Sequence, residues 1–340
     1  MKYHVHPSMV LAFVLVSGSA AGCHGGLVDT DSAEFDVDCP PEHCGVNAST
    51  LNDLSFGELH LVDGFNHGLA NSSGLHISGF AASRGPGHIL RADKGRLTMS
   101  DGDQTLEGDD LVGSVITISS TTSDEITEVL IDGYRSVPSW TEDGFAIDQY
   151  QLEVLDSETG VYQSACTDSN IAAGHEAGWV VVITRERYSL DDIAIAASGP
   201  DANGWFNVVC LGHALAKMKL LGFDPDPRAN NPYSSSVSKR QATIKMLAGD
   251  YCGTGESFTR DGTPVYWQNQ AGWSNNNPPA DTRTESLWDL EGALCINTPR
   301  LGAEYLDAIQ SECAAAGKTL EPCEGDMGTF LWTSSLPAVK

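Results

Sequence analysis

Positive charge is scarce in this chain. Nineteen lysines and arginines stand against 46 aspartates and glutamates, a formal net charge of −27 over 340 residues. A surface of that sign repels phosphate backbones and anionic headgroups, so nucleic acid is not an expected partner. Long apolar runs are missing too: Met9–Val16 has eight residues, against roughly 20 for a helix that spans a bilayer. No two cysteines are spaced C-x-x-C, so a zinc site is not expected. The chain has no G-x-S-x-G, Walker loop, H-E-x-x-H or complete G-x-G-x-x-G, which removes the usual sequence signs of hydrolase, nucleotide or metalloprotease chemistry. Ser236–Lys239 fits S-x-x-K, but its S-D-N and K-T-G companions are absent, and Ser238 is read as a helix cap.

What is present begins at the amino terminus. Met9–Val16 leads through small residues, Ser17 to Gly22, to Cys23. This is the pattern of an export signal over 1–22, with a cysteine where a bacterial lipoprotein carries its lipid. Two processing routes stay open. A cut before Cys23 yields a lipid-anchored protein, although Ala20 stands where leucine is usual; a cut after Ala20 or Ala21 yields a secreted one. The expectation is lipidation at Cys23, with the membrane as partner through that lipid and the cell envelope as location.

Nine cysteines suit an oxidising compartment. Setting Cys23 aside leaves Cys39, Cys44, Cys166, Cys210, Cys252, Cys295, Cys313 and Cys323, an even set with 105 pairings. The expected set is Cys39–Cys44, Cys166–Cys210, Cys252–Cys295 and Cys313–Cys323.

Residues 23–54 are rich in Asp and Glu and poor in large apolar residues, which reads as a flexible tether. From 55 to 165, short β-branched runs bounded by Gly, Asp and Ser predict strands, including a hairpin through Asp156–Gly160. Trp179–Ile183 is the most apolar strand and is expected to be central. Within 166–340 three helices are expected: Leu211–Leu221 with Gly222 as cap and Phe223 as its contact, one capped at Ser238 and ending at Gly249, and one from Pro299 to Gly317. The class is α+β and β-rich: an antiparallel sandwich or partly open barrel, followed by a disulfide-stapled α+β region, with the two regions open to being one continuous body.

The stretch from Leu247 to Pro264 contains Asp250-Tyr251-Cys252-Gly253 and Thr259-Arg260-Asp261-Gly262-Thr263-Pro264. It resembles the signature of the ADYC-domain family, exported bacterial proteins, largely myxobacterial and often predicted lipoproteins. Phe206–Phe223 and Trp288–Cys295 also resemble the family, so the likeness covers Cys166 to Arg300. The resemblance implies no activity and no cofactor. It implies a disulfide role for Cys210, Cys252 and Cys295, and the loss here, as a unit, of a disulfide between the positions of Met218 and Thr243.

Physically the signature reads as structural. Asp250 is expected to accept backbone N–H bonds at a turn, Cys252 to staple that turn to a distant strand, and Arg260 to pair with Asp250 or Asp261. The rival reading is a hydrolase whose carboxylates are Asp250, Glu256 and Asp261. His60, His67, His76 and His88 form a candidate metal patch, and Asp101, Asp103, Glu107, Asp109 and Asp110 a candidate Ca2+ cluster for adhesion, though without EF-hand order; no metal site is expected from either. The favoured expectation is a non-enzymatic binding or interaction module, with protein and carbohydrate ligands both open.

Overall fold

Alternation with a period of two builds the first half. In the computed structural model, which describes residues 47–337 apart from 141–143, 167–177, 226–234, 261–262, 264, 270–280 and 325–327, the strand-like runs form an eight-stranded antiparallel sheet. Its strands, with a small hairpin sheet inserted among them, are β1 (Glu58–His60), β2 (Leu75–Ala81), β3 (Ile89–Asp93), β4 (Arg96–Ser100), β5 (Thr105–Glu107), β6 (Val115–Ser120), β7 (Ile126–Pro138), β8 (Ala146–Leu155), β9 (Tyr162–Ser164) and β10 (Trp179–Thr184). After a short pair, β11 (Glu186–Ser189) and β12 (Ala194–Ser198), the sheet is completed by β13 (Trp205–Cys210). The order is β1-β13-β10-β8-β7-β6-β2, with β9 on β8.

The sheet curls into a nearly closed barrel. Its seam between β1 and β2 is bridged by the 61–71 loop. Gly68 N–H donates to the Ile77 carbonyl at 3.0 Å, and the Asn71 side chain donates to the Glu58 carbonyl at 2.9 Å. The three-stranded sheet β3-β4-β5 lies against the barrel and contributes Leu90, Leu97 and Met99 to its core.

β10 is buried on both faces, which is why it is apolar throughout. Val180 and Val182 join Leu152, Phe206 and Val208 in the barrel core. Val181 and Ile183 join Val209, Leu215 and Ile244 in a second core under the helices. β10 has a strand on each side, β13 and β8. Because β8 and β10 pair across residue 165, the β-rich and α+β regions share one sheet, and all described residues belong to one unit, Cys39–Lys340.

The second core is covered by α1 (Ala214–Leu220), α2 (Val237–Ala248), a four-stranded sheet and a last helix. The sheet consists of β14 (Tyr266–Gln268), β15 (Arg283–Asp289), β16 (Gly292–Ile296) and β17 (Trp332–Leu336), ordered β14-β17-β15-β16, with α3 (Leu306–Ala315) before β17. Trp267, Trp288, Trp332 and Phe223 fill its interior. Met218 on α1 and Thr243 on α2 are fully buried on helices that pack together. Among the described residues no helix is long and apolar enough to cross a membrane.

The three expected helices form, with shifted ends. α1 starts at Ala214 and is buried on every side, Lys217 and Lys219 included. Its stop is as expected: Phe223 N–H caps the Met218 carbonyl. α2 is capped by Ser236, not Ser238, since Ser236 Oγ accepts the Lys239 N–H at 3.2 Å. α3 begins at Leu306 because Pro299–Gly302 closes a turn first.

Of the expected disulfides, Cys166–Cys210 forms, while two others are replaced by Cys252–Cys313 and Cys295–Cys323. A bridge between Cys295 and Glu321 lays the 321–323 segment beside β16, which puts Cys323 at Cys295. Cys252 faces α3 instead, with its Sγ 3.5 Å from the Ile309 carbonyl oxygen. The 1–22 signal, Cys23, Cys39, Cys44, the tether up to residue 46, Asp261 and Gly262 lie outside the described residues. The end of the expected tether, 47–54, is part of the body instead: Ala48 and Leu51 are buried in the second core, and the Ala48 N–H donates to the Leu247 carbonyl at 3.1 Å.

Candidate functional site

The signature turn is a structural junction. α2 ends at Gly249, and Asp250 then turns its carboxylate back on the chain. Its Oδ1 accepts the N–H groups of Gly253 at 2.8 Å and Thr254 at 3.0 Å. Its Oδ2 accepts the Gly255 N–H at 3.0 Å and Lys245 Nζ at 2.5 Å. Asp250 has no exposed surface, so four donors occupy a carboxylate that water does not reach. Arg260, expected to pair with Asp250 or Asp261, is exposed; the cation on Asp250 is Lys245 from the preceding turn of α2. Gly255 packs so close that a Cβ would lie 1.8 Å from the Asp191 carbonyl oxygen.

Tyr251 stacks on Trp288, ring centroids 5.0 Å apart, and its hydroxyl donates to Glu285 at 2.5 Å. Glu285 and Arg300 form a bidentate pair, Nε and Nη2 each at 2.8 Å, without exposure on either side chain. Burial pushes the Glu285 carboxyl up, yet Arg300 and the Tyr251 hydroxyl hold it below its ordinary value; burial and the Glu285 charge push the Tyr251 phenol well up. Cys252 joins this junction to α3, not to a strand as expected.

The rival clusters are not brought together. Asp250 is sealed while Glu256 is exposed, so these two do not line one open cleft. Asp101 Oδ1 accepts the N–H groups of Asp103 and Gln104 in the β4–β5 turn, Glu107 pairs with Arg96 and Asp110 with Arg84. His60 Nδ1 accepts the Leu69 N–H at 3.2 Å, and His88 Nδ1 lies 3.1 Å from the Gly85 carbonyl. Among the described residues one group of three has metal-ligand spacing, Asp53, Cys210 and His213. Cys210 is spent there in its disulfide, and His213 Nε2 lies 2.9 Å from Asp53.

Open space lies elsewhere, where the β3–β4 hairpin meets the end of β10. A cleft of about 880 Å3 is lined by Arg91, Lys94, Arg96 and Arg185, with Asp63, Asp93 and Glu107 as its acids. Four cations face three acids there, whereas over the whole chain acids outnumber cations more than two to one; within the cleft Arg91 lies 3.6 Å from Asp63, and Arg96 pairs with Glu107 at 2.9 Å and with Asp148 at 3.1 Å. Two of these cations sit in left-handed backbone: Lys94 at φ 49° in the hairpin turn and Arg185 at φ 59° between β10 and β11. A side chain there costs about 1–3 kcal/mol, and such residues concentrate at functional positions. Arg185 is exposed between buried Thr184 and Glu186.

The walls are rigid. Trp205 lines the cleft with the Arg187 guanidinium 3.8 Å from its ring centre, and Glu58 grips that guanidinium through two bonds of 2.9 Å. His60 packs edge-on against Trp205. Burial holds the His60 imidazole below its ordinary value, with the Asn203 carbonyl pulling up and the Arg187 charge pushing down. It therefore stands as a neutral spacer. Cations beside an aromatic wall can bind an anionic group through charge-assisted hydrogen bonds.

The sequence reading missed the cations of this cleft, although it had singled out His60 and Glu107 of its lining for metal binding. A signal was there: three of the 19 cations fall between 91 and 96. The contribution of Arg185 had none, because it comes from the link between β10 and β11, far along the chain.

No curated protein and no solved structure matches this chain. The sequence model of the ADYC domain matches residues 108–302, beginning earlier than the signature suggested, at the turn before β6, and ending just past Arg300. More than half of the chain is covered, including the sheet from β6 on, the first two helices and the Asp250–Arg300 junction; the chain belongs to the ADYC domain family.

Proposed function

We propose that this protein is an exported binding module whose cleft between β3, β4 and β10 takes an anionic group. The observation that carries the reading is the gathering of four cations in this cleft, with Lys94 and Arg185 both held at positive φ on its rim. Its volume of about 880 Å3 suits a small ligand, and its cations support the reading as binding. Inorganic phosphate titrated by calorimetry tests it: a heat of binding is expected for the parent chain, with affinity falling about tenfold or more in Arg185→Glu. Phosphate that binds both proteins equally, or neither, removes the reading.

The place of action is part of the same proposal. Supporting it are the export pattern of residues 1–22, Cys23 at its end and three disulfides in the body. Cys23 then carries lipid, and the residues between it and Asn47, where the packed body begins, act as the spacer from the membrane. Mass spectrometry of the mature protein is expected to find an acylated Cys23 at its amino terminus; a free terminus at Ala21 or Gly22 assigns it to secretion instead.

A further inference from the structure

The cationic cleft has an apolar neighbour. A second cleft of about 640 Å3 is lined by Phe65, Phe80, Pro86 and Ile89, and shares Gly64 with the first. β3 runs through both. Leu90 points into the barrel core, so Ile89, Arg91 and Asp93 lie on the opposite, outward face. At 3.2–3.4 Å per residue, Ile89 and Arg91 are about 6–7 Å apart along that face. The step from apolar to charged wall is therefore about the length of a few methylenes.

The boundary is fixed by one side chain. Asn66 Nδ2 donates to the His88 carbonyl at 2.8 Å and its Oδ1 accepts the Leu90 N–H at 2.8 Å. This clamp holds the 62–68 loop on β3 and leaves Phe65 on the apolar side, 55% exposed. Phe65 packs on His67, ring centroids 5.2 Å apart, and with Phe80 and Ile89 gives the groove an apolar wall. Phe80 comes from β2 and Pro86 from the loop that leads to Ile89 on β3, so the groove walls come from two stretches of chain, 64–66 and 80–89.

We infer that the occupant is a single amphiphilic anion, with its charged head among Arg91, Lys94 and Arg185 and its alkyl tail along Phe65, Phe80 and Ile89. This rests on the anion-binding reading above. A bilayer surface fits poorly, since a chain of net charge −27 is repelled by anionic membranes. A lone soluble molecule meets only the local field of the groove. Each methylene laid against the apolar wall is worth about 0.8 kcal/mol when fully buried, which is about a fourfold gain in affinity.

Octyl phosphate, inorganic phosphate and octyl glucoside, titrated below micellar concentrations against the purified full chain, test this. Octyl phosphate is expected to bind at least tenfold tighter than inorganic phosphate, and Phe65→Ser to erase that advantage while leaving the phosphate affinity unchanged. Phe65 is exposed, so the variant keeps its core, and a circular dichroism melt checks that it does. Equal affinities for the two phosphates overturn the amphiphile and leave the anion site standing. No binding of either removes both. Octyl glucoside binding as tightly as octyl phosphate also overturns the inference, because the charged head then contributes nothing.

Discussion

On the barrel side of β10, Val180 and Val182 meet Leu152, Phe206 and Val208, and the Tyr150 hydroxyl is bonded to the Leu97 backbone. One residue along, Val181 and Ile183 meet a layer that carries four ion pairs with almost no exposure: Lys219–Asp224, Arg240–Glu186, Lys245–Asp250 and Arg300–Glu285. Every other described pair has a partner at least a third exposed. The two sides differ in how they fail. Shaving an aliphatic core leaves a cavity whose cost depends on how far the surroundings relax. Removing one member of a buried pair leaves a charge in a medium that cannot solvate it.

The largest expected effect follows from that difference. Glu285→Gln strands Arg300 beneath Tyr251 and Trp288 and is expected to lose about 3–5 kcal/mol in urea unfolding. The double change E285L with R300M removes both charges and is expected to recover most of the loss. A double variant as weak as the single one would show that shape, not charge, governs this side.

Disulfides are expected to matter next, and on both sides alike. The loops closed by Cys166–Cys210 and Cys252–Cys313 span 44 and 61 residues, and loop-closure entropy grows only with the logarithm of length. Replacing either pair with serines is expected to cost about 2–4 kcal/mol. Melting temperatures of the two variants that differ by more than a few degrees would tie the crosslinks to one half.

The comparison also explains which parts were legible in the sequence. The barrel strands were, because Tyr150–Val154 and Val115–Ile118 carry their pairing in local alternation and turn residues. So was the structural role of Asp250, since Gly253 and Gly255 follow it at turn spacing. The four-stranded sheet was not: Trp332–Leu336 and Arg283–Asp289 read as nothing in particular until they pair with each other. Nor were the partners of the buried charges, because Glu186–Arg240 and Glu285–Arg300 join residues 54 and 15 positions apart. The cleft failed for the same reason, as it takes Arg185 from the link between β10 and β11 and Lys94 from the β3–β4 turn.

A smaller effect is expected where the hairpin tip docks between the two sides. Gly95 has φ +71°, and its N–H donates to Thr184 Oγ1 at 2.9 Å. A Cβ there would lie 2.1 Å from Lys219 Nζ, which is itself bonded to the Gly95 and Val182 carbonyls and to Asp224. Gly95→Ala is expected to cost about 1–3 kcal/mol in strain and to weaken phosphate binding as Lys94 shifts. Unchanged stability with lost binding would place the hairpin in the site alone.

Acid separates the sides most gently. Both His60, at the cleft, and Glu285, under the helices, are held below their ordinary values, so in each case the unfolded chain takes up a proton before the folded one does. Stability from such a group is complete above its unfolded value and is lost as pH falls through the folded one. For His60 the loss begins near pH 6.5, and for Glu285 near 4.5. The barrel side is therefore expected to soften first, by a small amount, and the helix side only in stronger acid. Hydrogen exchange followed from pH 7 to 4 reads both: amides of β1 and β13 should lose protection before those of α2 and β15. In His60→Phe, which cannot take up the proton, the first step should vanish and the second remain. If α2 opens first in the parent chain, the barrel is the better guarded side and the order argued from these two groups is reversed.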